Sequence, residues 1–288
     1  MTERLADITA RIDGIRQLGT IVNAMRGIAA ARARQARGQL AAVDAYAATI
    51  AASIGRVLAI RPAARPDRPP RSPRTALVVF GAEQGFVGGF SERVFDAIGP
   101  DLTTAVIFLI GTRAAAVATE RGITPGWRNA MSAHTPAIPG LADRIAVALY
   151  RRIAAGAIDQ LDVVFSQWQP GGGTHVERRH LFPLDLSRLP LAAEPVTPLL
   201  TLAHDTLLGA LTADYLHTLL CNAALHAFAA ENEARMEAMA AAHTQIDRQL
   251  ATLEMTQRIV RQDEITAEII ELAAGETASQ PMSPRVGE

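Results

Sequence analysis

Residues 236–260, MEAMAAAHTQIDRQLATLEMTQRIV, place Met236, Met239, His243, Ile246, Leu250, Leu253, Gln257 and Val260 at alternating spacings of three and four. This is the seam of a heptad coiled coil, since a helix pairing along its length must present an apolar contact about every 3.5 residues. His243 and Gln257 are polar seam positions, which weaken a pair while fixing its register. The seam lies in an uninterrupted amphipathic run, read as one helix over 201–274.

A second long run stands at the other end of the chain. Leu5, Ile8, Ile12, Ile15, Val22 and Met25 keep helical spacing, the pattern thins into Ala29, Ala30, Ala31 and Ala33, and larger residues return at Leu40, Val43, Ile50, Ile54 and Val57. Alanine favours helix strongly and lets a neighbouring helix approach closely. Gly14, Gly19, Gly27 and Gly38 argue for a break, at about 1 kcal/mol each relative to alanine, but no proline precedes Pro62. The reading is one helix over 1–60, with two packed helices as the alternative. At about 1.5 Å per residue it would reach ~90 Å, too long to be buried on a single small domain. Two helical arms flanking one insert imply a shaft with a head.

Composition narrows the choice of insert. The chain has 288 residues, 49% of them hydrophobic but only 5% aromatic, which suits alanine-rich helices better than a large barrel. All 28 basic residues are arginine, and the net charge of −1 gives no global reason to expect a nucleic acid. Charge is nevertheless uneven. Arg26, Arg32, Arg34 and Arg37 lie together without an acid, whereas 231–271 holds Glu231, Glu233, Glu237, Asp247, Glu254, Asp263, Glu264, Glu268 and Glu271, which favours pairing of the arms. Cys221 excludes an internal disulfide and, one turn after His217, reads as a packed residue rather than a metal ligand. The N-terminus lacks a signal-like apolar core, and no apolar run approaches the ~20 residues of a spanning helix.

Residues 61–74, RPAARPDRPPRSPR, form a Pro/Arg-rich linker that no helix can cross. Strand-like runs follow at Ala76–Phe80, Ala105–Ile110 and Leu161–Phe165, alternating with helical stretches at 91–98, 112–121 and 141–156. That alternation predicts an α/β domain over 75–200 with partly parallel strands. Gly171–Gly173 predicts a hairpin into an antiparallel edge strand, Thr174–Leu181. Pro183, Pro190, Pro195 and Pro198 mark an extended return to the second arm, and residues 275–288 read as a disordered tail.

The glycine-rich stretch 81–89, GAEQGFVGG, follows a strand and precedes a helix, where a phosphate cradle would sit. Its spacing matches neither dinucleotide nor P-loop patterns, and no lysine is present to meet a phosphate, so a tight turn is the simpler reading. The histidines show no metal spacing, there is no GxSxG elbow, and the acidic arm reads as solvent- or partner-facing. No catalytic, cofactor or metal residues are expected.

Against this background the terminal runs are specific. Arg11-Ile12…Ile21-Val-Asn-Ala24-Met25-Arg-Gly-Ile-Ala29-Ala30-Ala31-Arg32-Ala-Arg34 resembles the opening helix of the γ subunit of F-type ATP synthases. Ala234-Arg235-Met236-Glu-Ala238-Met239, with Arg261-Gln262-Asp-Glu-Ile265-Thr266-Ala-Glu268-Ile269, resembles that family's closing helix, and Gly85-Phe-Val-Gly88-Gly89 is similar to its glycine-rich turn. The resemblance implies a long antiparallel two-helix coiled coil with an inserted Rossmann-like α/β domain. It further implies a rotary stalk inside three α and three β subunits, touching the ε subunit and the membrane c ring, on the cytoplasmic face of a bacterial membrane and attached only through the complex. Catalysis would then belong to β. By the same resemblance Arg261, Gln262 and Thr266 match β-contact positions, Met25 lies near moving β elements, and Arg32 and Arg34 could meet acidic β loops.

Departures from the family pattern point to a divergent branch. Asn23 replaces a basic residue, Glu83-Gln84 replaces Asp-Arg, Val87 replaces a cysteine, His243-Thr244-Gln245 replaces Thr-Asp-Asn and Ala267 a glutamine. They are compatible with an alternative F-type ATPase, proton- or sodium-translocating. Two rival readings remain: an α/β small-molecule-binding or catalytic domain with dimerising arms, which predicts a ligand-sized polar pocket near Gly85–Gly89, and a nucleic-acid binder using Arg26–Arg37, which predicts salt-sensitive affinity.

Overall fold

The structure is a computed structural model that describes residues 2–60, 74–185 and 200–278, with side chains over 4–60, 74–185 and 200–273. In chain order the elements are α1 (Thr2–Ile60), β1 (Thr75–Phe80), α2 (Phe90–Ile98), the single turn α3 (Asp101–Thr104), β2 (Val106–Ile110), α4 (Thr112–Glu120) and β3 (Trp127–Asn129). A 3-10 turn (Thr135–Ala137) then leads into α5 (Ile138–Ala154), β4 (Gln160–Gln169), β5 (Gly173–Phe182) and α6 (His204–Ala278). Most of the linker and of the return path, residues 61–73 and 186–199, lies outside the described residues. The expected tail at 275–288 starts inside α6, which runs to Ala278, and its remainder is also outside them.

The chain forms two compact units, one of Met1–Arg26 with Met239–Glu288 and one of Gly27–Ala238. In the first, α1 and α6 pair antiparallel. Thr9 meets Gln257 at 2.8 Å, Arg16 meets Glu254 at 2.8 Å, and a Cβ on Gly19 would lie 3.3 Å from Ile246, so rising numbers on one helix face falling numbers on the other. The seam holds Val22, Met239 and Ile246, with Ile15, Met25 and Leu250 packed against them. His243 is half-buried and turns its Nδ1 to Asp247 at 3.0 Å, while Gln257 spends its amide on Thr9. Both polar seam residues are therefore hydrogen-bonded at the edge of the contact, as a half-buried polar group requires.

α1 is continuous through its four glycines. At Gly19 the reason is the close approach of Ile246, for which no larger side chain leaves room without a shift. At Gly14, Gly27 and Gly38 a Cβ would meet nothing within 4 Å, and nothing in the structure explains those three.

In the second unit a five-stranded sheet has the order β3-β2-β1-β4-β5, parallel except for the antiparallel edge pair β4–β5. Side chains of a strand alternate between faces, and both faces here are covered. Ala76, Val78 and Phe80 of β1 join a core with α5, α6 and Ala36 of α1, whereas Leu77 and Val79 join one with α2 and α4. That is why β1 and β2 read as unbroken apolar runs rather than alternating ones. The expected hairpin is present across residues 170–172. β3 and α3, of three and four residues, leave too few positions for a period to register.

By length and composition α1 also passes as a membrane-spanning candidate, with a mean hydropathy of 1.4 in its most apolar window. The reading of uninterrupted apolar runs missed it because scattered charges are offset by alanine. Its Ile50, Ala51 and Ile54 are nonetheless buried against Leu208, Leu211 and Tyr215 of α6.

Candidate functional site

The glycine-rich turn after β1 lies at the carboxyl end of a parallel strand, the edge where open α/β sheets bind ligands. Here the chain fills that position itself. Glu231 of α6 accepts hydrogen bonds from the backbone N–H groups of Glu83 at 3.1 Å and Gln84 at 3.2 Å, the role a phosphate would take. Arg235, one helical turn on, contacts Glu231 at 2.6 Å and donates to Asn232 Oδ1 at 3.1 Å. Its guanidinium also faces the carbonyls of Gln84 and Gly85 at 3.4 Å.

Glu83 in turn accepts from the backbone N–H of Thr112 at 2.9 Å, the Thr112 hydroxyl at 2.8 Å and the N–H of Met131 at 2.7 Å. One carboxylate thereby caps α4 and pins the segment after β3. Gly81 is required by packing, for a Cβ there would come within 2.3 Å of Ala114 on α4. The turn is held from three sides and presents Phe86 to solvent, at a positive φ of 59° and 69% exposed.

These contacts correct one expectation about the acidic arm. Glu231 and Glu233 are buried, 4% and 3% exposed, rather than facing solvent or a partner. Glu233 pairs with Arg37, whose guanidinium also lies 4.5 Å from the Trp168 ring centroid. A buried carboxylate persists only when paired, and both have a partner. The signal was present in the sequence, as an Glu-x-x-x-Arg step set among alanine and phenylalanine.

A cavity of about 350 Å³ adjoins the turn, lined in part by Gly88, Ser91, Glu92 and Arg113, at the place where the small-molecule reading puts one. No group of three or more metal-ligating side chains occurs among the described residues. Cys221 is buried, with its thiol 3.9 Å from His217 Nδ1, and burial, then the charge of Asp143, pushes its pKa up to about 11. Such a thiol stays neutral and is a poor nucleophile.

The sequence-predicted contact residues are divided between the two units. Arg261, Gln262 and Thr266 are exposed on α6, the Thr266 hydroxyl donating to the Gln262 carbonyl at 2.8 Å. Met25 is half-buried in the coiled-coil seam. In the other unit Arg34 is exposed, while Arg32 is half-buried and lines a cavity of about 20 Å³ with Glu83, Glu231 and Arg235.

A profile described as ATP synthase matches residues 4–278, nearly the entire chain. The chain belongs to the ATP synthase family. Within it, the similar proteins are gamma chains: that of Parafrankia sp. (strain EAN1pec) is 26% identical over 293 residues, covering 96% of this chain and 98% of its own. The ATP synthase gamma chain of Desulforamulus reducens is 27% identical over 279 residues, covering 94% and 98%. In fold the chain resembles a subunit of the Euglena gracilis mitochondrial ATP synthase (OSCP/F1/c-ring), with a TM-score of 0.65, 13% identity and coverage of 100% and 99%. A chain of the Tetrahymena thermophila mitochondrial central stalk/c-ring gives 0.54, 17% identity and coverage of 77% and 99%. In this ATP synthase chain the carboxyl end of β1 is a docking point for its own α6, through Glu231.

Proposed function

We propose that the chain is the central rotary stalk, the γ-type subunit, of an F-type ATP synthase or ATPase. It couples ion-driven rotation to ATP synthesis or hydrolysis on β subunits and carries no active site of its own. The observation that supports this most is the antiparallel pairing of the two chain ends, in a chain matched by the family from residue 4 to 278. Outside that pairing, α6 leaves Met255, Ile259, Ile265 and Ile269 at least half exposed beside Arg261, Gln262 and Thr266. A helix with apolar residues left in the open is a surface awaiting a protein wall.

Its partners on this reading are three α and three β subunits around the paired helices, an ε subunit and a membrane c ring. The complex lies on the cytoplasmic face of a bacterial inner membrane and translocates protons or sodium ions. Arg261 and Gln262 offer β-subunit loops a planar cation and an amide, and Arg34 offers a second exposed guanidinium. Native mass spectrometry of the tagged chain isolated with its partners from its own cells tests the reading. One copy with three α-like and three β-like chains is the expected result; a homodimer, or a chain with no partners, would overturn it.

A further inference from the structure

Within the second unit, Ile50, Ala51, Ile54 and Leu58 of α1 form an apolar cluster with Leu208, Leu211 and Tyr215 of α6 and with Leu184, just past β5. Two histidines border it, and each has an oxygen acceptor at both ring nitrogens. His180, near the end of β5, places Nδ1 2.8 Å from Asp162 Oδ1 and Nε2 3.0 Å from the carbonyl of Pro183. His204, the first residue of α6, places Nδ1 3.0 Å from Asp205 Oδ1 and Nε2 3.1 Å from the carbonyl of Val57, in the last turn of α1. Pro183 adjoins Leu184 and Val57 adjoins Leu58, so each carbonyl lies one residue from the cluster.

A neutral imidazole has one N–H and one bare nitrogen, whereas an imidazolium donates from both. Carbonyls and carboxylates only accept, and Asp162 already accepts from Arg178 at 2.7 Å. The two hydrogen bonds of each ring therefore exist together only in its protonated form. We propose that His180 and His204 are a pH-operated clasp around the cluster: as imidazolium ions they tie the exit of β5 to β4 and the start of α6 to the end of α1, and as neutral rings each gives up one of its two bonds.

The bond surrendered differs between the two. Around His180 stand Asp162 of β4, Arg178 of β5 and, bonded to Arg178, Asp101 of α3; the carboxylates attract a charged ring and Arg178 repels it. Asp162 is only 14% exposed and fixed by Arg178, so a neutral His180 keeps its Nδ1–H on Asp162 and releases Pro183. Asp205 is 83% exposed, where water can replace the ring, whereas the Val57 carbonyl is held in a helix turn that lacks intrahelical donors and favours a nearby cation. A neutral His204 keeps its Nε2–H on Val57 and drops Asp205. The clasp is thus closed on the acid side, and as pH rises it opens at the exit of β5, where Leu184 is seated. It does not depend on the stalk reading.

Long-range proton–nitrogen NMR spectra of the full chain, labelled at its histidine rings, count the protons on each ring and test the clasp without any partner subunit. At about pH 5.5, on the acid side of an ordinary imidazole's midpoint near 6.5, both nitrogens of His180 and of His204 should carry a proton. At about pH 8.5 the two rings should be opposite tautomers, Nδ1–H for His180 and Nε2–H for His204. Hydrogen exchange across β5 and Leu184, corrected for the intrinsic effect of pH, should quicken by roughly two- to tenfold over the same interval, the range of one neutral hydrogen bond. His180→Gln, which does not titrate, should abolish that change with the helical circular dichroism unchanged. A single protonated nitrogen on either ring at the acid pH, or exchange across β5 and Leu184 that ignores pH, would overturn the proposal; one shared tautomer at the alkaline pH would overturn the order of release. The spectra of the parent chain decide the first point even where the variant fails to fold.

Discussion

Glu231 and Arg235 lie one turn apart on α6, 2.6 Å between charged atoms, and both are almost wholly buried. Together they satisfy two donors and two acceptors of the turn at residues 83–85. Breaking such a pair leaves a buried charge uncompensated, at about 3–5 kcal/mol. Glu231→Gln and Arg235→Met are each expected to lower stability by roughly that amount in urea denaturation. The double change should cost less than the sum, though the N–H groups of Glu83 and Gln84 then lose an acceptor. Two single variants within about 0.5 kcal/mol of the parent would contradict the assignment.

The glycines of α1 separate by their surroundings. Gly14→Ala places a methyl in open space, so it should raise stability by about 0.5–1 kcal/mol through helix propensity alone. Gly19→Leu forces a side chain into Ile246 and should destabilise the pairing by about 1–3 kcal/mol. Thermal unfolding of the two variants checks the contrast, which fails if their midpoints move the same way.

Two titrating groups make opposite contributions to the pH dependence of stability. Burial, then Arg179, lowers the pKa of His226, with His175 adding to the shift and Asp44 and Glu177 opposing it. The unfolded chain therefore takes up a proton first as pH falls below about 6.5, and stability contributed by neutral His226 is lost on that acid side. His226→Phe, which can keep the ring contact to Phe165 at 5.7 Å, should flatten the acid limb of a stability-against-pH curve. Cys221 acts on the other side: unfolded thiols ionise near pH 9 and the native one near 11, so stability falls as pH rises through that interval. At pH 8 its thiolate is roughly 100-fold scarcer than that of a free thiol, and iodoacetamide labelling should slow accordingly.

Replacing Arg261, Gln262 and Thr266 together by alanine removes three exposed polar side chains and no internal packing. The chain should keep its circular dichroism and thermal midpoint, while the purified complex loses ATPase turnover or assembles in lower yield. Unchanged turnover and assembly would exclude these residues as subunit contacts.

Much of the architecture is local information. Proline and glycine mark where β1, β4 and β5 begin or end, and heptad spacing from Met236 to Val260 marks the coiled-coil stretch of α6. β3 is invisible because three residues carry no period; it exists through its register with Phe108, Leu109 and Ile110 of β2. The predicted contact residues on α6 are legible as exposed polar positions of a terminal motif. Arg32 is not, for its half-buried place comes from neighbours about fifty to two hundred residues away in the chain.

Residue order alone therefore establishes two long helices, an alternating α/β insert and the family to which they belong, because helical period, strand run and chain breaker are properties of a few consecutive residues. Three-dimensional packing establishes the rest: that Glu231 answers the N–H groups of the glycine-rich turn, that Gly19 makes room for Ile246, and that Thr135 and Cys221 share one cleft. These are meetings of groups about 85 to 230 positions apart, and whether a carboxylate or a thiol is paired, buried or free depends on which atoms surround it once the helices have packed.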